Sequence, residues 1–153
     1  EIYTLSLHDA LPISFKIGED PGAFGGKFVW MPGMPGGRGG HSAGMASWQL
    51  DVQQAGTYKL WGRIWAPTPD DDSFFVSANA GTFAPDRKSR GPVVLEKTEW
   101  HTGVTGGQWK WRPFPAEIAL PAGPVVLSVH VREDGTKIDR LFLSADLSQE
   151  PAD

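Results

Sequence analysis

Seven tryptophans against two tyrosines form the first chemical signal in this chain, and the residues beside them form the second. An indole offers the flat apolar surface on which the C–H face of a pyranose ring packs, while the sugar's hydroxyls need directional polar partners nearby. The segment TYKLWGRIW alternates, so Tyr58, Leu60 and Ile64 share one face of a strand and Trp61, Arg63 and Trp65 the other. In VVLSVHVR, Val125, Leu127, Val129 and Val131 face one way, and Ser128, His130 and Arg132 face the other. The aliphatic faces belong to a core. If both strands lie in one sheet, Trp61, Arg63, Trp65, His130 and Arg132 make a platform of aromatic and cationic groups. The alternative is that they are edge contacts covered by glycine-rich loops. Trp100 and His101 fall in a polar stretch, where an aromatic without a partner is costly, and this favours a functional role. Trp109 and Trp111 point to one face; Trp111 is expected in the core, and Trp109, beside Gly106 and Gly107, at the surface. Trp48 alternates with Leu50 and Val52 and reads as core.

Patterns for catalysis are sparse. His41, His101 and His130 have neither HExxH spacing nor any other close spacing suited to a metal. No G-x-S-x-G elbow or glycine-rich phosphate loop occurs. Tyr58, His101, His130 and Arg132 are the residue types of a polysaccharide lyase, but Tyr58 is on a core face. Glu99 and Glu133 are available as a carboxylate pair for glycoside hydrolysis, although any chain offers such pairs. Asp139 shares its apparent face with Leu141 and Leu143 and, if buried, needs a hydrogen-bonding partner. The chain reads as a binding domain rather than an enzyme.

The elements that must position these residues are short strands. Residues 28–30, 46–52, 57–65, 73–78, 109–114, 118–120, 125–131 and 138–143 alternate and are bounded by Gly, Pro or Asp, with no convincing amphipathic helix between them. The loop 66–72, carrying Pro67 and Pro69, predicts an antiparallel pair of its flanking strands. Residues 80–107 read as irregular, with a charged cluster at 86–90, and 15–44 as a loop-like region with ten glycines. Several short strands with turns between them suggest a sandwich. The 153 residues suit one domain able to bury a real core, and nineteen Gly with thirteen Pro fit an all-β chain. Zero cysteine excludes disulfides and thiolate chemistry. A formal charge of −4 argues against a general nucleic-acid binder, and no apolar run is long enough to span a membrane.

Residues 1–14, EIYTLSLHDALPIS, resemble the in-frame translation of a DNA sequencing adapter at every position. They are therefore set apart as artefactual, with Ile2, Tyr3, Leu5 and Leu7 available for accidental strand pairing. The expected domain is 15–147, with 148–153 a tail or the start of a linker, from a truncated environmental gene whose N-terminal part is missing.

Four pieces in order carry a family resemblance: AGTYKLWGRI, QWKW, LPAG with the strand after it, and DGTKIDRLFL. Together they are similar to the carbohydrate-binding modules of the galactose-binding-like jelly rolls, families 6 and 35. The resemblance implies an all-β jelly-roll sandwich of two antiparallel sheets, monomeric, extracellular or on a bacterial cell surface, and covalently linked to a catalytic domain. It implies sugar contacts at the loop rim from Trp30, Trp109 and Lys137; Trp100 and His101, from their place in the polar loop, are expected to add to them. Lys137 stands where the family pattern has asparagine, which with Arg63 and Arg132 points to an acidic polysaccharide, since cations pair readily with uronate or sulfate. The resemblance also implies one structural calcium, with Asp146, Glu19 and Asp20 as ligands. A structural or protein-binding β-sandwich of a surface protein is the alternative function, marked by a flat apolar patch in place of a tryptophan-lined groove.

Overall fold

The structure, a computed structural model, describes residues 1–13, 15–32, 44–84 and 91–153. The charged cluster at 86–90 and residues 33–43 of the glycine-rich region, His41 among them, lie outside the described residues. Two antiparallel sheets enclose one core, giving the expected β-sandwich. The first sheet runs β3 (Lys16–Glu19), β4 (Lys27–Trp30), β11 (Lys137–Ser144), β6 (Gly56–Trp65) and β9 (Lys110–Leu120). Its sixth strand, β1 (Ile2–Ser6), shares one edge of β11 with β4, pairing along residues 140–144 while β4 pairs with Lys137 and Ile138. The second sheet runs β2 (Ala10–Ile13), β5 (Met45–Val52), β10 (Gly123–Val131), β7 (Ser73–Ala80) and β8 (Val93–His101).

The period-two reading of the core holds. Tyr58, Leu60 and Ile64 of β6 and Val125, Leu127, Val129 and Val131 of β10 all point inward and are buried, as is Trp48. Other expectations fail for identifiable reasons. β6 and β7 are not an antiparallel pair: the chain between them crosses from one sheet to the other. Two prolines in 66–72 cannot donate to a ladder, and the Ala66 amide bonds the Thr105 hydroxyl instead (3.0 Å). The two strands expected over 109–120 are one, β9, which keeps Pro113 and Pro115 because it is an edge strand and absorbs them with a register shift against β6. β8 was hidden in a polar stretch because it too is an edge strand, and Trp100 is its only buried residue.

The adapter-like residues are woven into both sheets. β1 lies on β11 and β2 on β5, and Leu5 and Ala10 are buried. The last residues fold back as well: Asp153 Oδ1 accepts from Arg63 Nε (3.1 Å) and Trp111 Nε1 (3.0 Å) on the outer face of the first sheet. Trp111 is therefore half-buried on that face against Phe142, with centroids 6.3 Å apart, rather than in the core.

Trp100 is fully buried, and its indole N–H donates to the Pro113 carbonyl at 2.8 Å. Its ring fills the space above Gly62, where an added Cβ would come within 2.3 Å of Trp100 Cη2 and 3.1 Å of Ile64 Cδ1. Gly62→Ala is expected to destabilise the fold by about 2 kcal/mol through overpacking. The expected readout is a lower urea midpoint with an unchanged slope.

Candidate functional site

One end of the six-stranded sheet gathers aromatic rings around a lysine. In register, Trp30 of β4 and Trp65 of β6 flank Lys137 of β11 on either side. The Lys137 ammonium lies 4.7 Å from the Phe28 ring centroid, 5.0 Å from Trp30 and 5.5 Å from Trp65. Trp109, just ahead of β9, closes the group with centroids 5.8 Å from both Phe28 and Trp65. Trp30, Trp65, Trp109 and Lys137 are all half-buried, while Phe28 is buried as the post between Trp30 and Trp109. Among the described residues Lys137 has no hydrogen bond or carboxylate partner, so its donors remain available. The three residues expected at the rim thus do come together.

The post stands because of a glycine. Gly18 of β3 pairs with Phe28 of β4, and a Cβ at Gly18 would sit 2.2 Å from the Phe28 ring. The turn between these strands, residues 20–26, then lies as a ridge across the outer face of the sheet. Asp20 takes the Gly22 amide at 2.8 Å and the Trp109 indole N–H at 3.1 Å, which orients that ring. Those two donors hold the Asp20 carboxyl below the ordinary carboxylate range, so it stays charged down through mildly acid pH. The Phe24 amide donates to Asp139 Oδ2 at 2.7 Å, and the same oxygen accepts from Arg63 Nη1. Asp139 does not share the face of Leu141 and Leu143. A register irregularity between Ile138 and Arg140 turns its carboxylate outward, where Oδ2 meets Arg63 while Oδ1 stays buried without a hydrogen-bond partner. Burial pushes Asp139 above the ordinary carboxylate range, against the pull of these two donors.

Other expected site residues stand elsewhere. Trp100 belongs to the core and His101 to the exposed end of β8, where its Nε2 lies 3.2 Å from Glu99 Oε2. The platform of Trp61, Arg63, Trp65, His130 and Arg132 is divided, because β6 and β10 are in opposite sheets. Trp61 is buried with Lys59 Nζ over its ring at 4.8 Å, and Trp65 and Arg63 join the Lys137 cluster, Arg63 lying 5.7 Å from the Trp109 centroid. Arg63 is engaged by Asp139 and Asp153, and Arg132 by Glu133 (2.9 Å) and Glu99 (3.4 Å), so neither is a free receptor for an anion. His130 meets Ser77 Oγ at 2.8 Å on the five-stranded sheet.

The three carboxylates suggested for calcium are not gathered into one group in this structure. Asp20 is engaged with Gly22 and Trp109, Asp146 Oδ1 accepts from the Ser148 amide and hydroxyl (3.0 and 2.7 Å), and Glu19 stands exposed on the edge strand β3. Among the described residues no three His, Asp or Glu side chains form a metal-holding group. Sequence reasoning missed Phe28 and the placement of Trp65. Phe28 alternates with Trp30 and was readable as its same-face neighbour; Trp65 comes beside Lys137 through register alone.

No family model and no curated protein matches the sequence. Solved structures do match. A native family 35 carbohydrate-binding module from Clostridium thermocellum is similar with a TM-score of 0.65 at 17% identity, over 94% of this chain and 97% of that one. The C-terminal family 6 module of a marine laminarinase from Zobellia galactanivorans is similar with a TM-score of 0.62 at 14% identity, over 94% and 99% of the two chains. The fold is that of the family 35 and family 6 carbohydrate-binding modules. A GH26-CBM35 β-(1,4)-mannanase from Podospora anserina is similar with a TM-score of 0.66 at 16% identity, over 98% of this chain but 29% of that enzyme. These likenesses agree with the resemblance carried by AGTYKLWGRI, QWKW, LPAG and DGTKIDRLFL.

Two outcomes test this geometry. Gly18→Ala is expected to displace Phe28, shifting the tryptophan fluorescence of the rim cluster and lowering stability by about 1–3 kcal/mol. His130 is held down to about 4 by burial, with Lys97 adding to the shift. The unfolded chain therefore binds the extra proton between pH 6.5 and 4, and stability falls as pH drops through that window. After solvent screening the loss is about 2 kcal/mol. It appears as a falling Tm that His130→Gln flattens.

Proposed function

We propose that this chain is a non-catalytic module that binds an acidic polysaccharide at the Lys137 cluster, as an accessory part of a larger carbohydrate-active protein acting outside the bacterial cell. The convergence of Trp30, Trp65 and Trp109 around one unpartnered ammonium carries this reading. Half-buried indoles supply stacking surfaces for pyranose rings, and Lys137 keeps donors for a carboxylate or sulfate on the same sugar. The cation's place among aromatic faces, without a neighbouring carboxylate bonded to it, favours an acidic ligand over a neutral one.

Catalysis has little support in the geometry. Tyr58 is buried, its hydroxyl within 2.6 Å of Glu1 Oε2 and 2.7 Å of the Gln54 carbonyl, so the lyase set with His101 and His130 does not assemble. Glu99 and Glu133 both pair with Arg132, and His101 with Arg132 lowers the Glu99 carboxyl, the reverse of what a general acid requires. Of the large apolar residues exposed among those described, Ile17 and Phe24 share one groove, while Ile2, Val93, Val104 and Leu147 lie on separate elements. The match to under a third of the Podospora anserina mannanase supports an accessory role beside a linked catalytic domain. Tethering there would raise the local concentration of substrate around that domain. The module is expected to act as a monomer, and among the described residues no helix is long and apolar enough to cross a membrane.

Affinity in the micromolar to millimolar range, roughly −4 to −8 kcal/mol, is expected for a small open site. Native gels cast with pectate, alginate, ulvan, xylan, agarose or β-glucan test the reading. Retardation is expected in the acidic polymers, lost in Trp109→Ala and strongly weakened in Lys137→Gln. Trp100→Ala, by contrast, should cost about 3–5 kcal/mol of stability. Folded protein that passes every gel unretarded would refute sugar binding at this site.

A further inference from the structure

The ridge of residues 20–26 divides the outer face of the six-stranded sheet, and on the flank away from Lys137 a second cation stands among aromatic rings. The Arg140 guanidinium carbon lies 3.9 Å from the Phe24 centroid and 5.7 Å from that of Trp111. Its Nε is buried without a hydrogen-bond partner, and among the described residues no acceptor or carboxylate engages the rest of the group. The adjacent Asp139 takes Arg63 and the Phe24 amide at Oδ2, and the Arg140 charge acts on the same carboxylate through space, without a hydrogen bond to its free Oδ1. Rings over the faces of a guanidinium leave its in-plane N–H fork as the means of bonding, and that fork matches a carboxylate or sulfate.

A groove of ≈ 380 Å³, lined by Ser6, Leu7, Ile17, Phe24, Gly25 and Lys27, shares Phe24 with this group. Phe24 and Ile17 are 48% and 60% exposed, so the groove has apolar walls, with Lys27 as a second cation on its lining. Arg140 follows Lys137 by three residues on β11, roughly 10 Å at ordinary strand rise. The flanks therefore repeat one chemistry, a cation without a hydrogen-bond partner and aromatic rings against it, and on this flank the groove adjoins through Phe24.

We propose that Arg140, Phe24, Trp111 and Lys27 form a second subsite for a sugar acid, and that an acidic polysaccharide spans the ridge to occupy both subsites. This rests on the reading of the Lys137 cluster as an acidic-sugar site. Linking two weak contacts through one polymer raises the apparent affinity without any new contact at either subsite.

The test uses the full chain labelled with ¹⁵N, titrated with galacturonic acid and then with an oligogalacturonate series. Galacturonic acid is expected to shift the indole signals of both Trp109 and Trp111. Lys137→Gln should abolish the first response and Arg140→Gln the second, each leaving the other in place. Affinity for the long oligomers should fall at least about ten-fold in Arg140→Gln while the monomer response at Trp109 is unchanged. Phe24→Ala leaves the backbone bond to Asp139 intact and serves as the second variant; the same loss is expected if Arg140→Gln does not fold. A Trp109 response with none at Trp111, or oligomer affinity unchanged in either variant, overturns the second subsite and leaves the first standing. No response at either indole overturns the reading of the Lys137 cluster, and the subsite with it.

Discussion

The outward carboxylate of Asp139 is the contact on which both flanks of the ridge depend. It is fully buried, sits at the register irregularity of β11, and takes the Phe24 amide and Arg63 at one oxygen. Through Phe24 it anchors the β3–β4 turn over the sheet; through Arg63 it reaches β6, the Gly22 carbonyl and Asp153. Arg63 in turn lies against Trp109, and Phe24 lies against Arg140. A buried pair of this kind adds little net stability over a well-packed apolar substitute, but removing one partner leaves an uncompensated charge and costs about 3–5 kcal/mol. Its value is positional: one pair sets where two groups of rings stand.

Around that anchor the outer face is built from cations laid on aromatic rings. Lys137 rests among Phe28, Trp30 and Trp65, Arg63 on Trp109, Arg140 on Phe24 and Trp111, and Lys59 on Trp61. Each such contact is worth about 0.5–1 kcal/mol at exposed sites, enough to bias a long side chain to one place. Unlike a salt bridge, it holds the cation without consuming its hydrogen-bond donors. That is how a half-buried lysine can be ordered in the free protein and still have bonds to make. Arg63 shows the other outcome, since the carboxylates that fix it also neutralise it.

The alternation of β6 and β10 was legible residue by residue, because a period of two follows from strand geometry alone. Which sheet each strand joins was not legible. The expected pairing of β6 with β7, and of Trp61, Arg63 and Trp65 with His130 and Arg132, failed on that point. The family resemblance placed Trp30, Trp109 and Lys137 together, where residue types alone would have left them 107 positions apart along the chain. Trp100 was misread because the space that swallows it is made by Gly62, on a strand of the other sheet. The face of Asp139 was misread, and the bond from Trp109 to Asp20 missed, because a register irregularity and a turn folded over the sheet decide where each carboxylate points. Neither leaves a mark in local composition.

A net charge of −4 looks unfavourable for holding a polyanion, but the charges are not evenly spread. Asp70, Asp71 and Asp72 are in the loop between β6 and β7, and Glu133 and Asp134 in the loop between β10 and β11. The outer face of the six-stranded sheet carries Lys59, Arg63, Lys137 and Arg140, with Asp139 and Asp153 turned onto Arg63. The field of Asp20 reaches both Lys137 and Arg63, and its oxygens are occupied by Gly22 and Trp109. At physiological ionic strength fields are screened beyond about 8 Å, so an approaching polymer senses this local face more than the total charge. Asp20 then has two opposed effects, since it fixes the ring a sugar would stack on and weakens the cation a sugar acid would pair with. That opposition keeps the free site from being strongly cationic, so the proposed selectivity for a sugar acid would rest on stacking and charge acting together.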